Sequence, residues 1–411
     1  MNTSFFNRVT RVLIGTMGAQ LITMGVMLLL VRLYTPADLG EFSVWLSFAT
    51  ISAVAVTGRY EMAIFNCKEQ GSIQALLKLI FIIVISASLF IVAGILVWDA
   101  IVKGLPAVIP MFCFSLAVVV FGMGMNKVVL SLLTYQQEFN KLGIARVTLA
   151  ACIAIAQISA AFVFKDASGL IYGQVIGVIA ATGLSLLWIN GAWLKGSMSS
   201  SWQSVKSLAA QHKNFPKFSL PADLLNTAAS QLPIIFIASR FGSEAAGWFA
   251  LTFKMMGAPI SLLAASVLDV FKEQAARDYR SDGNCRQTFL KTFYLLAGLS
   301  IVPFIIFAFL GEWAFGLVFG EEWAESGRYA VVLVPLFFMR FVISPLSYAI
   351  YIAQKQKLDL LWQVALLVLT CVCFILPREI ETALWSYSIG YALMYVIYFW
   401  VSYRAAKGDS Q

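Results

Sequence analysis

Apolar stretches of about twenty residues follow one another along the chain with short polar breaks, each long enough to cross roughly 30 Å of hydrocarbon as a helix. They fall near 12 to 33, 40 to 66, 76 to 98, 105 to 126, 142 to 164 and 169 to 190, then near 218 to 239, 245 to 268, 289 to 310, 329 to 352, 359 to 376 and 383 to 403. The pattern predicts an all-α polytopic membrane protein with twelve transmembrane helices. Strands of an outer-membrane barrel would show short alternating runs, so the continuous ones point to the bacterial inner membrane. The first run follows Arg8 and Arg11 as a signal peptide would, but it is longer than a usual apolar core and lacks a clear small-residue cleavage site, so an uncleaved helix is expected.

Composition agrees with this picture: of 411 residues, 60% are hydrophobic and 12% charged, and the mean hydropathy is +0.83, far from a soluble domain. The net charge of +8 is mainly a topology signal. Lys254 and Arg340 apart, twenty-one basic residues fall on one side and only Arg32, Lys103, Lys165, Arg240, Arg328 and Arg378 on the other. The positive-inside rule then places both termini in the cytoplasm. Basic residues scattered over many loops make no nucleic-acid patch. Tryptophans, Trp45, Trp98, Trp248 and Trp323 among them, lie near span ends or in adjacent loops, as an interfacial belt predicts. Six cysteines show neither metal nor disulfide spacing and read as small apolar packers.

The chain is written twice. LYTPADLGEF (Leu33 to Phe42) and RFGSEAAGWF (Arg240 to Phe249) match at an offset of 207, each joining the first two spans of a six-helix half. Ser131, Tyr135, Lys141 and Leu142 recur as Ser347, Tyr351, Lys357 and Leu358 at an offset of 216. The reading is a six-helix bundle over 1–190, a cytoplasmic linker over 191–217 and a second six-helix bundle over 218–411. Even-numbered halves enter from the same side, so a pseudo-two-fold axis along the membrane normal relates them and lets one rock against the other. In the linker, Trp202, Val205 and Ala209 at helical spacing predict a short interfacial helix.

Charges inside spans are costly and point to water, a partner or the protein interior. Lys254 lies about ten residues into the eighth span, Arg340 near the middle of the tenth, and Arg59 and Glu61 near one end of the second. Met62 to Phe65 turn apolar again after that pair, so the span is extended to Asn66. Residues two apart on a helix do not face one another, so Arg59 and Glu61 are expected to find separate partners, with Gly58 allowing a bend. Structural alternatives stand beside these readings: Arg59 as a loop residue, Arg340 tied to a carbonyl or a neighbouring acid. Asp223 and Asp269 lie within or at the edges of spans and serve equally as charge balance. Gly169, Gly173 and Gly177 form a close-packing face. Pro259 is a candidate hinge among the span prolines, and the lone His212 is read as solvated. No His pair, Ser-His-Asp set, nucleotide loop or metal spacing occurs, so neither an enzyme nor a cofactor is expected.

NFPKFSLPADLLNTAASQLPIIF followed by FGSEAAGWFALTFKMMGAP resembles the second-half entrance of Wzx-type polysaccharide flippases, and LYTPADLGEF, RYEMAI and MRFVISPLSYAI match the same pattern elsewhere. The resemblance covers the whole chain and implies the MATE/MOP-like fold of that exporter superfamily. It also implies transport of undecaprenyl-diphosphate-linked oligosaccharides, such as O-antigen units of lipopolysaccharide, from the cytoplasmic to the periplasmic leaflet. Cationic Arg59, Lys254 and Arg340 would then replace the diphosphate's hydration. Asn226, Gln231, Gln20 and Gln174 would bond sugar hydroxyls, interhelical hydrogen bonds being the alternative for Asn226 and Gln231. Glu61, Asp269 and Asp223 are the candidates for coupling to a proton or sodium ion. Partners expected are the lipid-linked oligosaccharide, membrane lipids, a polysaccharide polymerase and a chain-length regulator, with no nucleic acid. The rivals are a MATE-like multidrug or cation antiporter and, behind it, a membrane polysaccharide polymerase or ligase.

Overall fold

The computed structural model describes residues 3–67, 69–102, 108–189 and 191–408. Lys68 and Lys103, counted above for topology, lie outside the described residues, as do the side chains of Arg8, Arg11, Trp98, Lys195, Pro259 and Asp269. Among the described residues there is no strand. The α-helices are α1 (Thr3–Leu33), α2 (Pro36–Ala55), α3 (Gln70–Val102), α4 (Val108–Tyr135), α5 (Phe139–Ala161), α6 (Ala167–Leu186), α7 (Gly191–Ser199) and α8 (Trp202–Gln211). The chain continues through α9 (Leu220–Phe241), α10 (Ser243–Asp282), α11 (Arg286–Phe319), α12 (Ala324–Ile343), α13 (Tyr348–Ile352), α14 (Gln356–Ile375) and α15 (Ile380–Lys407).

Ten helical segments among the described residues are long and apolar enough to cross a membrane. They become eleven if α2 and the 3-10 segment Tyr60–Asn66, bent by 42° from it, form one broken span. The predicted eighth span lies in α10, which carries Glu244 and Lys254 and is not among the ten. At 40 residues α10 runs about 60 Å, far more than a bilayer core requires. The fourth span reads longer than predicted, because α4 stays helical to Tyr135. Two compact units emerge, Met1–Tyr34 with Phe42–Thr227 and Thr35–Glu41 with Ala228–Gln411.

In the first unit small residues set the helix spacing. A Cβ at Gly173 would fall 2.5 Å from the Cα of Gln157 and one at Gly177 2.4 Å from the Cα of Ile153, so the glycine face of α6 lies directly on the α5 backbone. The linker forms two helices. Lys78 donates from Nζ to the carbonyls of Met198 (3.2 Å) and Ser200 (2.7 Å) at the end of α7. On α8, Val205 and Leu208 are buried and Trp202 is exposed, a face one step from the predicted one. His212, read as solvated, is buried instead: α8 folds back so that its ring lies 3.9 Å from the Cys67 sulfur and packs on Phe215.

In the second unit the first turn of α2 meets the first turn of α10. A Cβ on Gly40 would fall 1.8 Å from the Ser243 carbonyl oxygen, and one on Gly247 1.8 Å from that of Pro36. Pro36 and Ser243, like Gly40 and Gly247, are equivalent under the 207-residue offset, so the matched motifs are two sides of one reciprocal crossing. The other matched segment behaves alike: Gln137, between α4 and α5, and Gln354, between α13 and α14, both take left-handed φ values of 58° and 56°. Arg240 donates to the carbonyls of Phe374 (2.6 Å) and Ile375 and so caps α14. Phe271, Cys285, Phe289, Leu346 and Ala406 form a buried cluster joining the later part of α10 to α11, α15 and the Ser344–Ser347 turn. Burial with Asp278 nearby pushes the Cys285 thiol up to about 11, which keeps it a packing group at neutral pH. Trp45 and Trp323 do not join an interfacial belt, since both are fully buried, Trp45 donating from Nε1 to the Phe112 carbonyl at 3.1 Å.

Candidate functional site

The most charged buried place in the first unit is the break after α2. The helix stops at Ala55, Gly58 turns left-handed with φ 58°, and Arg59 follows with φ 62°. Glycine takes that conformation freely, whereas an arginine there costs on the order of 1–2 kcal/mol. The chain then tightens into the 3-10 segment Tyr60–Asn66, held by Tyr60 donating from its hydroxyl to the Ala209 carbonyl of α8 at 3.2 Å.

This path gives Arg59 and Glu61 the separate partners expected of them and also brings the two together. The Arg59 Nη1 lies 3.3 Å from Glu61 Oε1. The rule that residues two apart do not meet applies to an α-helix, and the left-handed turn here is not one. Arg59 Nη2 also reaches Asp223 Oδ2 in the first turn of α9 at 2.5 Å. Glu61 is 2% exposed, and the same oxygen that accepts from Arg59 lies 3.8 Å from the Lys127 ammonium. α4 comes this close because Gly124 leaves room, a Cβ there meeting Val56 Cγ1 at 2.7 Å. Two cations and two carboxylates therefore converge with no net charge.

Hydrogen bonding in this cluster is incomplete. Among the described residues, buried atoms without a partner include Arg59 Nε, Glu61 Oε2, Thr57 Oγ1 and Asn126 Nδ2. Thr57, Arg59 and Glu61 put three such atoms within five residues, unusual for a structural salt bridge, because an unmet buried polar atom costs about 1–3 kcal/mol. One of them, Arg59 Nε, is a guanidinium donor, suited to an oxyanion.

Sequence reasoning passed over Lys127 and Asn126 by ending the fourth span at 126, although the apolar return from Val128 to Leu133 was the same signal that extended the second span. Arg146, taken as cytoplasmic, lies in the transmembrane helix α5 and donates to the Thr16 hydroxyl of α1. Asp359 was also missed: it is buried and accepts from Tyr351 (2.7 Å), Gln363 (2.8 Å) and Tyr398 in the second unit.

The other predicted residues are dispersed. Gln174 is buried against α5, accepting from Gln157 Nε2 at 3.5 Å, a helix-to-helix contact rather than an open one. Gln20 is half-buried on α1, and Asn226 is exposed on α9. Gln231, also on α9, is half-buried and donates to the Ser230 hydroxyl at 3.4 Å. In the second unit Lys254 is exposed on α10, and Arg340 is exposed on α12 with its guanidinium 5.9 Å from the Phe253 ring centre. Nearby, a cavity of about 380 Å³ lined by Met255, Met256, Ile260, Phe304, Phe307 and Phe341 is apolar and suits hydrocarbon rather than sugar. Among the described residues no group of three or more His, Cys, Asp or Glu is placed to hold a metal.

The profile of a family described as polysaccharide biosynthesis protein matches residues 29–328, most of the chain. The chain belongs to that family. A relative within polysaccharide biosynthesis, the teichuronic acid biosynthesis protein TuaB of Bacillus subtilis strain 168, is 22% identical over 191 residues. Those residues are 46% of this chain and 40% of that relative, so the match spans less than half of either. Among solved structures, an inward-facing multidrug resistance MATE family transporter of the MOP superfamily aligns with TM-score 0.64 at 10% identity, over 98% of this chain and 94% of its own. The lipid II flippase MurJ in an inward closed conformation aligns with TM-score 0.64 at 13% identity, over 98% and 86%. Identities this low establish the fold alone, which is the one these membrane transporters share. The family and the fold agree with the Wzx-type, MOP-superfamily resemblance of the sequence.

Proposed function

We propose that this polysaccharide biosynthesis protein is a flippase that carries undecaprenyl-diphosphate-linked oligosaccharide from the cytoplasmic to the periplasmic leaflet of the bacterial inner membrane. The observation that carries this reading is the pair of cations Arg59 and Lys127 around Glu61, with the buried Arg59 Nε unmet, inside the membrane-spanning part of a polysaccharide-family chain. A diphosphate bears about two negative charges and cannot cross hydrocarbon bare, since burying an unpaired charge costs several kcal/mol or more. Paired cationic donors replace its water. Lys254 and Arg340 are assigned as further phosphate ligands of the second unit, with Asn226 and Gln231 as sugar ligands. Glu61 is the coupling carboxylate, bound alternately to the cations and to a proton or sodium ion, and the two homologous halves supply alternating access. Both termini face the cytoplasm, where most of the basic residues lie.

A MATE-like exporter of organic cations has the same fold, and likeness of fold does not separate the two. The unmet guanidinium donor Arg59 Nε favours an anionic cargo over a cationic one. The test is mass analysis of lipids from cells lacking the protein. Undecaprenyl-diphosphate carrying complete oligosaccharide units is expected to accumulate, and normal lipid-linked pools with raised sensitivity to cationic drugs would favour the rival.

A further inference from the structure

Arg59 holds its two carboxylates differently. Glu61 is 2% exposed and bound from Nη1, whereas Asp223 is 37% exposed and bound from Nη2. Nη2 and Nε together form the side edge of a guanidinium, two parallel donors that fit two oxygens of one oxyanion. Asp223 occupies Nη2, and Nε, buried on the same edge, has no acceptor. Half of a bidentate site is filled. Lys127, whose ammonium lies 3.8 Å from Glu61, is one-third exposed.

Building on the flippase reading, we propose that Asp223 is a built-in stand-in for a substrate phosphate: the diphosphate of a polyprenyl lipid displaces it from Arg59 and so releases the first turn of α9. Asp223 is the solvent-facing partner of this half-buried pair, so its contact contributes only about 1 kcal/mol and gives way more readily than that of Glu61. The displaced carboxylate returns to water, whereas Glu61 would have to be stripped from its burial. A diphosphate brings a second charge and enough oxygens for Nε, Nη2 and the Lys127 ammonium. Asp223 lies five residues before Ala228, where α9 passes into the second unit, and α9 is preceded by the π-helical turn Phe215–Ser219, a backbone form common at functional sites. Binding is thereby tied to movement of the segment by which the chain crosses between units.

The test measures farnesyl diphosphate and inorganic pyrophosphate binding to the purified full-length protein in detergent. Asp223→Asn is expected to bind farnesyl diphosphate about fivefold more tightly than wild type, a gain of about 1 kcal/mol, and Lys127→Ala to bind it more weakly. Unchanged or weakened binding by Asp223→Asn overturns the stand-in and leaves the flippase reading intact. Binding by neither protein overturns both. Pyrophosphate binding as tight as that of farnesyl diphosphate overturns the lipid assignment. A second measurement needs no variant: hydrogen exchange of amides 223 to 227 in the wild-type protein is expected to quicken when farnesyl diphosphate is added, and unchanged or slower exchange overturns the release.

Discussion

Arg59→Gln is expected to destabilise the protein by about 3–5 kcal/mol and to abolish surface polysaccharide in a strain that depends on it. The stability loss follows from Glu61. With a carboxylate 2% exposed and its second oxygen already without a partner, removal of the arginine leaves only the Lys127 ammonium at 3.8 Å. A buried charge with one long contact is close to uncompensated. Arg59→Gln/Glu61→Gln removes both charges, and thermal unfolding of the purified proteins should show the double variant recovering most of what the single one loses. Export should not recover, because the oxyanion site stays empty of its guanidinium. Equal melting of Arg59→Gln and wild type would mean that the pair is solvated and not the centre of the cluster. Arg59→Lys separates the two roles: it keeps the charge and lacks the parallel donors, so stability should fall less than transport.

Gly40→Ala and Gly247→Ala are each expected to cost about 3 kcal/mol or more and to reduce the folded yield from membranes severalfold, a large effect for one added methyl group. The methyl would lie 1.8 Å from a backbone carbonyl oxygen in both cases, Ser243 for one and Pro36 for the other. Backbone cannot rotate away as a side chain can, so the two helices must separate, and overpacking of this kind sits at or beyond the usual 1–3 kcal/mol. The reciprocity makes a sharper demand: the two variants should behave alike, since the two glycines are equivalent in the repeat. Wild-type yield and melting for either variant would show that the crossing is looser than described. Gly25, where nothing lies within 4 Å of an added Cβ, serves as the neutral control.

Patterns of apolar periodicity, repeats and glycine spacing carried most of the fold, because each depends on residue type at regular intervals. The helices, the two matched segments and the α6 face were all readable on that ground. Features that depend on backbone departure from regularity were not. Gly58 announced a possible bend, but nothing in the residues around it required Arg59 to turn left-handed as well, and that one dihedral brings Arg59 onto Glu61. Lys127 was hidden by a boundary: a span cut nine residues early turns an intramembrane cation into a loop residue. His212 and Trp45 show the same limit from the other side. A polar linker and a span-end tryptophan are solvated on average, and only the tertiary path places one against Cys67 and the other in the core. Asp359 stood at the edge of a predicted span, where a charge calls for no explanation, and its tyrosine partners come from residues 8 and 39 positions away.

The most direct measurement is translocation in proteoliposomes containing the purified protein and a labelled polyprenyl-diphosphate-linked oligosaccharide, read as the rate at which label reaches the opposite leaflet. The wild-type protein is expected to move it, and Lys127→Ala, folded and inserted to the same level, to move it at least about tenfold more slowly, as loss of roughly 1.4 kcal/mol of charge stabilisation requires. Equal rates for the two proteins, or transport of an organic cation with none of the anionic lipid, would contradict the account.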